Sequence, residues 1–146
     1  MKRCLLIPIF IFAAFWLPCD CRAQTRFAVY DLYISPKGEP VAAYQIKIKA
    51  TTGNVKIISV EGGEHSAFKE APFFDPKAIQ KGTIKLAAFS TKEAAELPAR
   101  QTRVASIHIQ TDRTDEVPFD LDLQVVATTN GRPIGAKVRF IERDQE

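Results

Sequence analysis

Two histidines, His65 and His108, are the only imidazole groups in the chain and the first candidates for acid–base or metal chemistry. A general base needs a hydrogen-bonded partner, and a zinc site needs further ligands at a characteristic spacing. Glu61 and Glu64 lie near His65 in the sequence, and Ser106 lies near His108, but neither group has the spacing of a ligand motif. The sequence therefore predicts two surface histidines, no catalytic residue, no bound metal and no cofactor.

A run of carboxylates offers the oxygen ligands that calcium prefers. Its members are Asp112, Asp115, Glu116, Asp120 and Asp122. Their spacing does not follow the EF-hand loop, and Asp120 and Asp122 alternate with leucines, which places both on the outer face of a strand. The favoured interpretation is a solvated acidic turn that also discourages edge-to-edge strand pairing. A calcium site is the alternative.

Nucleophilic catalysis has little support in this sequence. Ser66 and Ser90 lack the Gly-x-Ser-x-Gly setting of a hydrolase nucleophile. Carboxylate pairs are present, but nothing in the pattern marks a cleft for glycoside hydrolysis. We therefore expect a protein without enzymatic activity, with an envelope hydrolase as the weakest alternative.

An aromatic loop is the most informative irregular segment. Residues 64–80 lose the alternation seen elsewhere, and the loop 64–76 within them contains Phe68, Phe73 and Phe74 beside two prolines. Aromatic side chains in a long loop on a rigid scaffold are typical of binding surfaces. These three residues and His65 are the predicted binding residues. In the alternative interpretation the phenylalanines plug one end of the core, because phenylalanine prefers burial.

The first 23 residues have the three-part pattern of a cleavable signal peptide. A basic start, residues 1–3, precedes an apolar run of 13 residues, 5–17, and small residues lie at −3 and −1 before cleavage at Gln24. The run is shorter than the roughly 20 apolar residues of a spanning helix. We expect an exported protein, periplasmic or extracellular. An uncleaved anchor and lipid attachment at Cys19 or Cys21 are the alternatives.

Export would leave a single domain of 123 residues, 24–146, out of the 146-residue chain. All three cysteines lie in the first 23 residues, so the domain would have no disulfide and no thiol chemistry. Those residues also carry three of the 20 basic and one of the 17 acidic side chains, which leaves a net charge of +1. A domain with this near-neutral charge is not expected to bind nucleic acid, and it has no polybasic patch for a membrane surface.

Alternation of apolar and polar residues predicts an all-β domain, an antiparallel β-sandwich of seven or eight short strands. Asn130-Gly131 predicts a type I′ hairpin, because both central residues of that turn need positive φ. Asp75 is a predicted cap for a short helical turn that begins at Pro76, residues 91–97 have helix-forming composition, and the last five residues are expected to fray. The predicted strands are residues 27–34, 41–50, 55–60, 82–90, 103–111, 119–125 and 137–141.

In this order the strands resemble the cohesin domain, the jelly-roll sandwich of cellulosome scaffoldins and many bacterial surface proteins. Residues 42–48 and 57–62 resemble the early strand pair, 82–90 the central Gly-x-Ile-x-x-Ala strand, and 102–109 with Asn130-Gly131 the closing half. The resemblance covers roughly residues 26–142. Residues 49–53 depart from the Tyr-Asp-Pro that often follows the family's early strand. The likeness implies a jelly-roll topology and a protein partner of the dockerin-like kind.

Together these features predict an exported binding module that mediates protein–protein interaction at the cell envelope or outside the cell. A carbohydrate-binding module is the alternative, since related sandwiches bind glycans. The predicted domain has no tryptophan to stack on a sugar ring, and its only tyrosines are Tyr30, Tyr33 and Tyr44.

Overall fold

The computed structural model describes residues 24–144. Its regular structure consists of seven β-strands and three short 3₁₀ turns, and these described residues contain no α-helix. The strands are β1 (Arg26–Pro36), β2 (Ala43–Ala50), β3 (Val55–Gly62), β4 (Thr83–Phe89), β5 (Thr102–Thr111), β6 (Phe119–Ala127) and β7 (Ala136–Glu142). The predicted signal peptide lies outside the described residues. Between residues 24 and 144, no helix has the length and apolar character to cross a membrane.

Odd-numbered and even-numbered strands form separate antiparallel sheets. One sheet has the order β3-β5-β1-β7 and the other has the order β4-β2-β6. Between β1 and β7 the described chain therefore changes sheet at every connection, and none of these seven strands pairs with its neighbour in sequence. The prediction of an all-β fold with antiparallel sheets is confirmed.

One hydrophobic core lies between the two sheets, because alternate residues of each strand point inward. In β2, Tyr44, Ile46 and Ile48 are at most 2% exposed, whereas Lys47 and Lys49 are exposed. The hydroxyl of Tyr44 donates a hydrogen bond of 3.3 Å to the carbonyl of Val104 in the opposite sheet. Tyr44 thereby satisfies its one polar atom inside the core.

The prediction that a hairpin at Asn130-Gly131 pairs β6 with β7 is wrong, because β6 and β7 belong to different sheets. The turn itself forms: the Gly131 amide donates to the Thr128 carbonyl, but only Gly131 of the pair has positive φ, +72°. After the turn, Pro133 and Ile134 lie against the end of β6, and the Ile134 amide donates to the Val126 carbonyl. The chain then crosses to β1, where β7 finds a full-length partner.

Substituting alanine for Gly131 should lower the free energy of unfolding by about 1 kcal/mol, the cost of a left-handed conformation for a residue with a Cβ. A Cβ at Gly131 would meet no atom within 4 Å, so backbone strain is the only expected cost. Gly135 is the matched control, since its added Cβ also meets open space and its φ is not positive. Urea denaturation of the two variants measures the difference. Equal stabilities would contradict the assigned turn.

Two of the short turns bear on the predicted helices. Asp75 caps the turn Pro76–Ala78 by accepting a hydrogen bond from the Lys77 amide at 2.9 Å, as predicted. In residues 91–97 the helix amounts to one 3₁₀ turn, Ala94–Glu96, without a side-chain cap.

The expected fraying of the C-terminus is wrong for Glu142 and Arg143. Glu142 ends β7, accepts a hydrogen bond from the Tyr30 hydroxyl at 2.7 Å and pairs with Arg26. The Arg143 amide donates to the Val29 carbonyl at 2.8 Å, which continues the ladder one residue beyond β7. Charged residues are ordered here because buried polar groups of β1 need partners.

Candidate binding surface

The connection between β3 and β4, residues 63–82, contains the predicted binding residues and is held tightly against the sheets. A Cβ on Gly62 would lie 1.9 Å from the Lys69 carbonyl oxygen, and one on Gly63 would lie 2.1 Å from the Arg103 carbonyl oxygen. The Glu64 carboxylate accepts from the Arg103 amide at 2.9 Å. The start of this connection is therefore a fixed part of the fold.

His65 has a structural position at the start of this connection. Its Nδ1 accepts a hydrogen bond of 3.1 Å from the Ala67 amide and so caps the 3₁₀ turn Ser66–Phe68. The acceptor role leaves the imidazole proton on Nε2 when the ring is neutral. The ring is half-buried and is engaged by its own backbone.

Phe68 and Phe74 point into the molecule. Phe68 is 3% exposed and packs edge-on against Tyr44, with ring centroids 5.3 Å apart and planes at 70°. Phe74 is half-buried and contacts the same core. Both match the alternative in which loop phenylalanines close the core, and Phe68 no longer belongs among the candidate binding residues.

Phe73 points outward and is 70% exposed. Its backbone forms a two-way bridge with Ala87 of β4: the Phe73 amide donates to the Ala87 carbonyl at 2.7 Å and the Ala87 amide donates back at 2.9 Å. Buried Pro72 and half-buried Phe74 lie on either side of it in the chain. Alternation along this bridged segment therefore forces the Phe73 ring to the surface.

Phe73 stacks on Phe89, the last residue of β4, which is 65% exposed. The ring centroids are 6.1 Å apart and the planes are inclined by 11°. Phe89 lies two residues beyond Ala87 on the same face of the strand, and such diagonal neighbours are within reach of aromatic side chains. We call Phe73, Ala87 and Phe89 the aromatic surface.

Two grooves flank the aromatic surface. One, of about 840 Å³, lies between residues 66–73 and residues 88–92. The other, of about 660 Å³, lies between residues 89–94, the start of β2 and residues 127–131. Phe89 lines both grooves, together with Ser90, Thr91 and Lys92.

The outer face of β2 and β6 beside the aromatic surface is uncharged. Gln45 donates to the Gln124 side-chain oxygen at 2.8 Å, and Val125 is 43% exposed. Farther along the same face, Lys47 lies across from Asp122 and from Lys85. The exposed apolar groups thus collect at one end of this face and the charges at the other.

Phe89 is not among the binding residues that the sequence predicts. The alternation of β4 already places Phe89 on the outer face, with Lys85 and Ala87. What the sequence lacked was the strand bridge that brings Phe73 beside it, since these residues are 16 positions apart.

The groups considered for catalysis are engaged elsewhere. Ser106 donates to the Asp31 carboxylate at 2.7 Å and accepts from Arg103 and Arg143 at 2.6 and 3.0 Å. His108 instead lies beside Glu61, with Nε2 and Oε1 3.1 Å apart. The Ser106 hydroxyl therefore hydrogen-bonds to Asp31 and not to the His108 imidazole.

The acidic residues considered for calcium binding are dispersed. Asp112 accepts from the Asn54 side chain at 2.7 Å, and Asp115 pairs with Arg113. These contacts hold the pKa of each of the two carboxylates below its usual value. Across the described part of the chain, no three histidine, cysteine, aspartate or glutamate side chains come together in a metal-binding group.

Comparison with family models, with curated proteins and with solved structures finds no match for this chain.

Proposed function

We propose that this protein is an exported, non-enzymatic binding module that holds a protein partner at the aromatic surface. The observation that carries the proposal is the stacked pair of Phe73 and Phe89, which leaves two large apolar side chains 70% and 65% exposed. Contiguous exposed apolar groups are typical of interaction sites. Support for export comes from the three-part pattern of residues 1–23.

The energetics favour a protein partner that presents apolar side chains. Burial of an exposed phenylalanine contributes about 1.5–3 kcal/mol, and aromatic anchors in the centre of an interface carry most of its binding energy. The Phe73–Ala87 bridge already fixes the backbone of one anchor, so less conformational entropy is lost when the partner binds. Each flanking groove offers space for a partner side chain next to Phe89.

The edge of the aromatic surface bears charges of both signs, as interface rims do. Lys92 and Glu96 form an ion pair of 3.4 Å beside one groove, and exposed Lys69 and Glu70 line the groove on its other wall. A partner with an apolar centre and a mixed polar rim fits this arrangement. A dockerin-like protein is the candidate that the cohesin resemblance suggests.

We also propose that the two sheets have the topology of a cohesin-like jelly roll. The assignment is supported by the connections in residues 24–144, since all six of those between the seven described strands change sheet and two wrapped sheets of this kind make up jelly rolls. The glycan-binding alternative has less support, because Tyr30 and Tyr44 are at most 2% exposed and Tyr33 is half-buried. Tyr30 and Tyr44 therefore offer no exposed ring face to a sugar.

Replacing both Phe73 and Phe89 by alanine should weaken partner binding by roughly tenfold or more, because both anchors are lost. Stability should fall by no more than about 1 kcal/mol, the order of one exposed aromatic contact. Partner recovery from the native envelope or culture fluid, followed by titration calorimetry with the recovered protein, measures the first effect. Thermal denaturation measures the second.

Phe27→Ala is the matched control, since Phe27 is 63% exposed on β1 in the other sheet. The control should bind the partner as the parent protein does. Equal loss of binding in both variants, or no loss in the double variant, would contradict the assigned surface. A glycan-array signal abolished only by the double variant would replace the protein partner with a glycan.

A further inference from the structure

The two sides of the molecule are closed in different ways. On the β3–β4 side, residues 63–82 cover both sheet edges: the Ile57 amide donates to the Lys81 carbonyl at 2.9 Å, and Phe73 bridges Ala87. On the β6–β7 side, within the described residues, only the last residues of β6 are covered, where Ala127 forms a bridge with Pro133 and the Ile134 amide donates to the Val126 carbonyl. Most of the β6 edge is therefore open.

The open backbone groups of β6 follow from the ladder that it shares with β2. The Thr51 amide donates to the Pro118 carbonyl on the β6 side, whereas the Ala50 amide donates to the Gly82 carbonyl on the β4 side. Because alternate residues serve opposite neighbours, Asp120 and Asp122 bond to β2. The amides and carbonyls of Leu121 and Leu123 then point to the outer edge.

The open backbone groups of β7 follow from the ladder that it shares with β1. The Arg143 amide donates to the Val29 carbonyl of β1, so Arg139 and Lys137 also direct their backbone groups to β1. The amides and carbonyls of Val138 and Phe140 point away from the sheet. Among residues 24–144, both sheets thus end in an unpaired strand edge on the same side of the molecule.

The side chains of these edge strands are complementary in charge. β6 presents exposed Asp120 and Asp122, and β7 presents exposed Lys137 and Arg139. Pairing β6 with β6 would set carboxylates against carboxylates, and pairing β7 with β7 would set cations against cations, both of which are destabilising. Pairing β6 of one molecule with β7 of another sets opposite charges side by side.

The inward residues of the same strands are apolar and incompletely covered. They are half-buried against the core, and a recess of about 290 Å³ lies beside two of them. A strand added at each edge would cover them further, which favours association. These residues are Leu121, Leu123, Val138 and Phe140.

We infer that a second copy of this chain occupies the β6–β7 side. A twofold axis parallel to the edge strands exchanges the two sheets, so β6 of each copy pairs with β7 of the other. Both open edges of both copies are satisfied at once, and the assembly closes as a dimer. This goes beyond the proposed function: the aromatic surface lies on the β3–β4 side, so the dimer carries two free copies of it.

Two reciprocal charge reversals test the pairing of β6 with β7. Sedimentation equilibrium measures the dimerisation of each variant and of the parent, all purified after expression of the full chain in the same host. Asp120→Lys/Asp122→Lys makes both edges basic, and Lys137→Glu/Arg139→Glu makes both edges acidic. Each variant alone should dimerise more weakly than the parent, by roughly tenfold or more, since like charges then oppose each other at two symmetric strand pairs. An equimolar mixture of the two variants should form a heterodimer of near-parent affinity.

Lys56→Glu/Lys85→Glu is the matched control, with the same charge change at exposed lysines of β3 and β4. It should dimerise like the parent, and circular dichroism checks that all variants are folded. A parent protein that remains monomeric at roughly millimolar concentration would overturn the inference and leave the edges to a strand from another protein. A dimer insensitive to both reversals, or one that the mixture does not restore, would also overturn it.

Discussion

Replacing Phe68 by alanine should lower the free energy of unfolding by about 3–5 kcal/mol, the usual cost of deleting a fully buried aromatic ring. Phe68 is 3% exposed and packs edge-on against Tyr44, whose hydroxyl reaches the opposite sheet. Loss of the ring leaves a cavity next to a second aromatic side chain that cannot move freely. Urea denaturation measures the change.

Phe73→Ala is a closely matched control, because it deletes the same ring from the same connection at a position 70% exposed. Its effect on stability should stay within about 1 kcal/mol, the size of the lost contact with Phe89. If Phe68→Ala does not fold, Phe68→Leu should give a smaller loss in the same direction. A loss below about 1 kcal/mol for Phe68→Ala would contradict its role as a core residue.

Replacing Asp31 by alanine should lower the free energy of unfolding by about 3 kcal/mol at neutral pH. The reason is that loss of the buried carboxylate leaves two arginines without their shared partner. Asp31 is 7% exposed on the outer face of β1. It accepts from Arg143 at 2.6 and 3.0 Å and from the Ser106 hydroxyl at 2.7 Å. Arg103 lies 3.9 Å away.

The effect of Asp31→Ala should depend on pH in one direction. Burial opposes ionisation of Asp31, but the hydrogen bonds from Arg143 and Ser106 outweigh it and hold the pKa below the ordinary value of 3.8. A carboxyl whose pKa is lower in the folded state stabilises the fold above its unfolded-state pKa. That contribution is lost as the pH falls through 3.8 towards the folded-state pKa.

Parent and Asp31→Ala stability curves should therefore be separated by a constant amount above about pH 5 and converge in acid. Asp120→Ala is the control, since it removes an exposed carboxylate of β6 and should give a curve close to the parent at every pH. Urea denaturation at a series of pH values measures the separation. A gap that stays constant down to about pH 2 would contradict the assigned ion pairs.

Glu142 should add a second acid-sensitive contribution of the same sign. The hydrogen bond from Arg26, together with that from the Tyr30 hydroxyl, holds the pKa of Glu142 below its ordinary value despite partial burial. Burial in turn raises the pKa of Tyr30 to about 12, so its hydroxyl remains a donor at neutral pH. Asp31 of β1 pairs with Arg143, and Glu142 pairs with Arg26 of β1. Residues 142 and 143 are therefore expected to detach from β1 first in acid.

A dimer joined through β6 and β7 would have two binding sites of the proposed kind. The aromatic surface faces away from the open edges, so each assembly would present two copies of it. Two linked binding sites raise the apparent affinity for a repetitive or multivalent partner without any new contact. A charge-reversed monomer and the parent dimer should then differ in avidity while single-site affinity stays the same.

The strand content of this fold could be read from the sequence. Residues such as Ile46, Ile48, Ile84 and Leu86 recur at every second position, and a period of two puts them on one face of a strand whatever its neighbours are. All seven predicted strands have counterparts in the structure. The Asp75 cap could also be predicted from the sequence, because its hydrogen bond reaches only two residues along the chain.

The order of the strands and the exposure of the loop aromatics were decided by tertiary structure alone. Phe68, Phe73 and Phe74 are chemically identical, and only the bridge between Phe73 and Ala87 determines which ring points outward. The Asp31–Arg143 pair joins residues 112 positions apart, a separation at which no local pattern operates.

Period-two alternation thus determined that this chain forms strands and which face of each strand is buried, because that signal lies within a few neighbouring residues. It placed Phe89 on an outer face but did not place Phe73 beside it. The stacked pair exists because a loop residue bonds to the edge of β4, and edge pairing between distant segments depends on how the whole chain packs. The same dependence decided that β6 and β7 lie in different sheets, in spite of the Asn130-Gly131 turn between them.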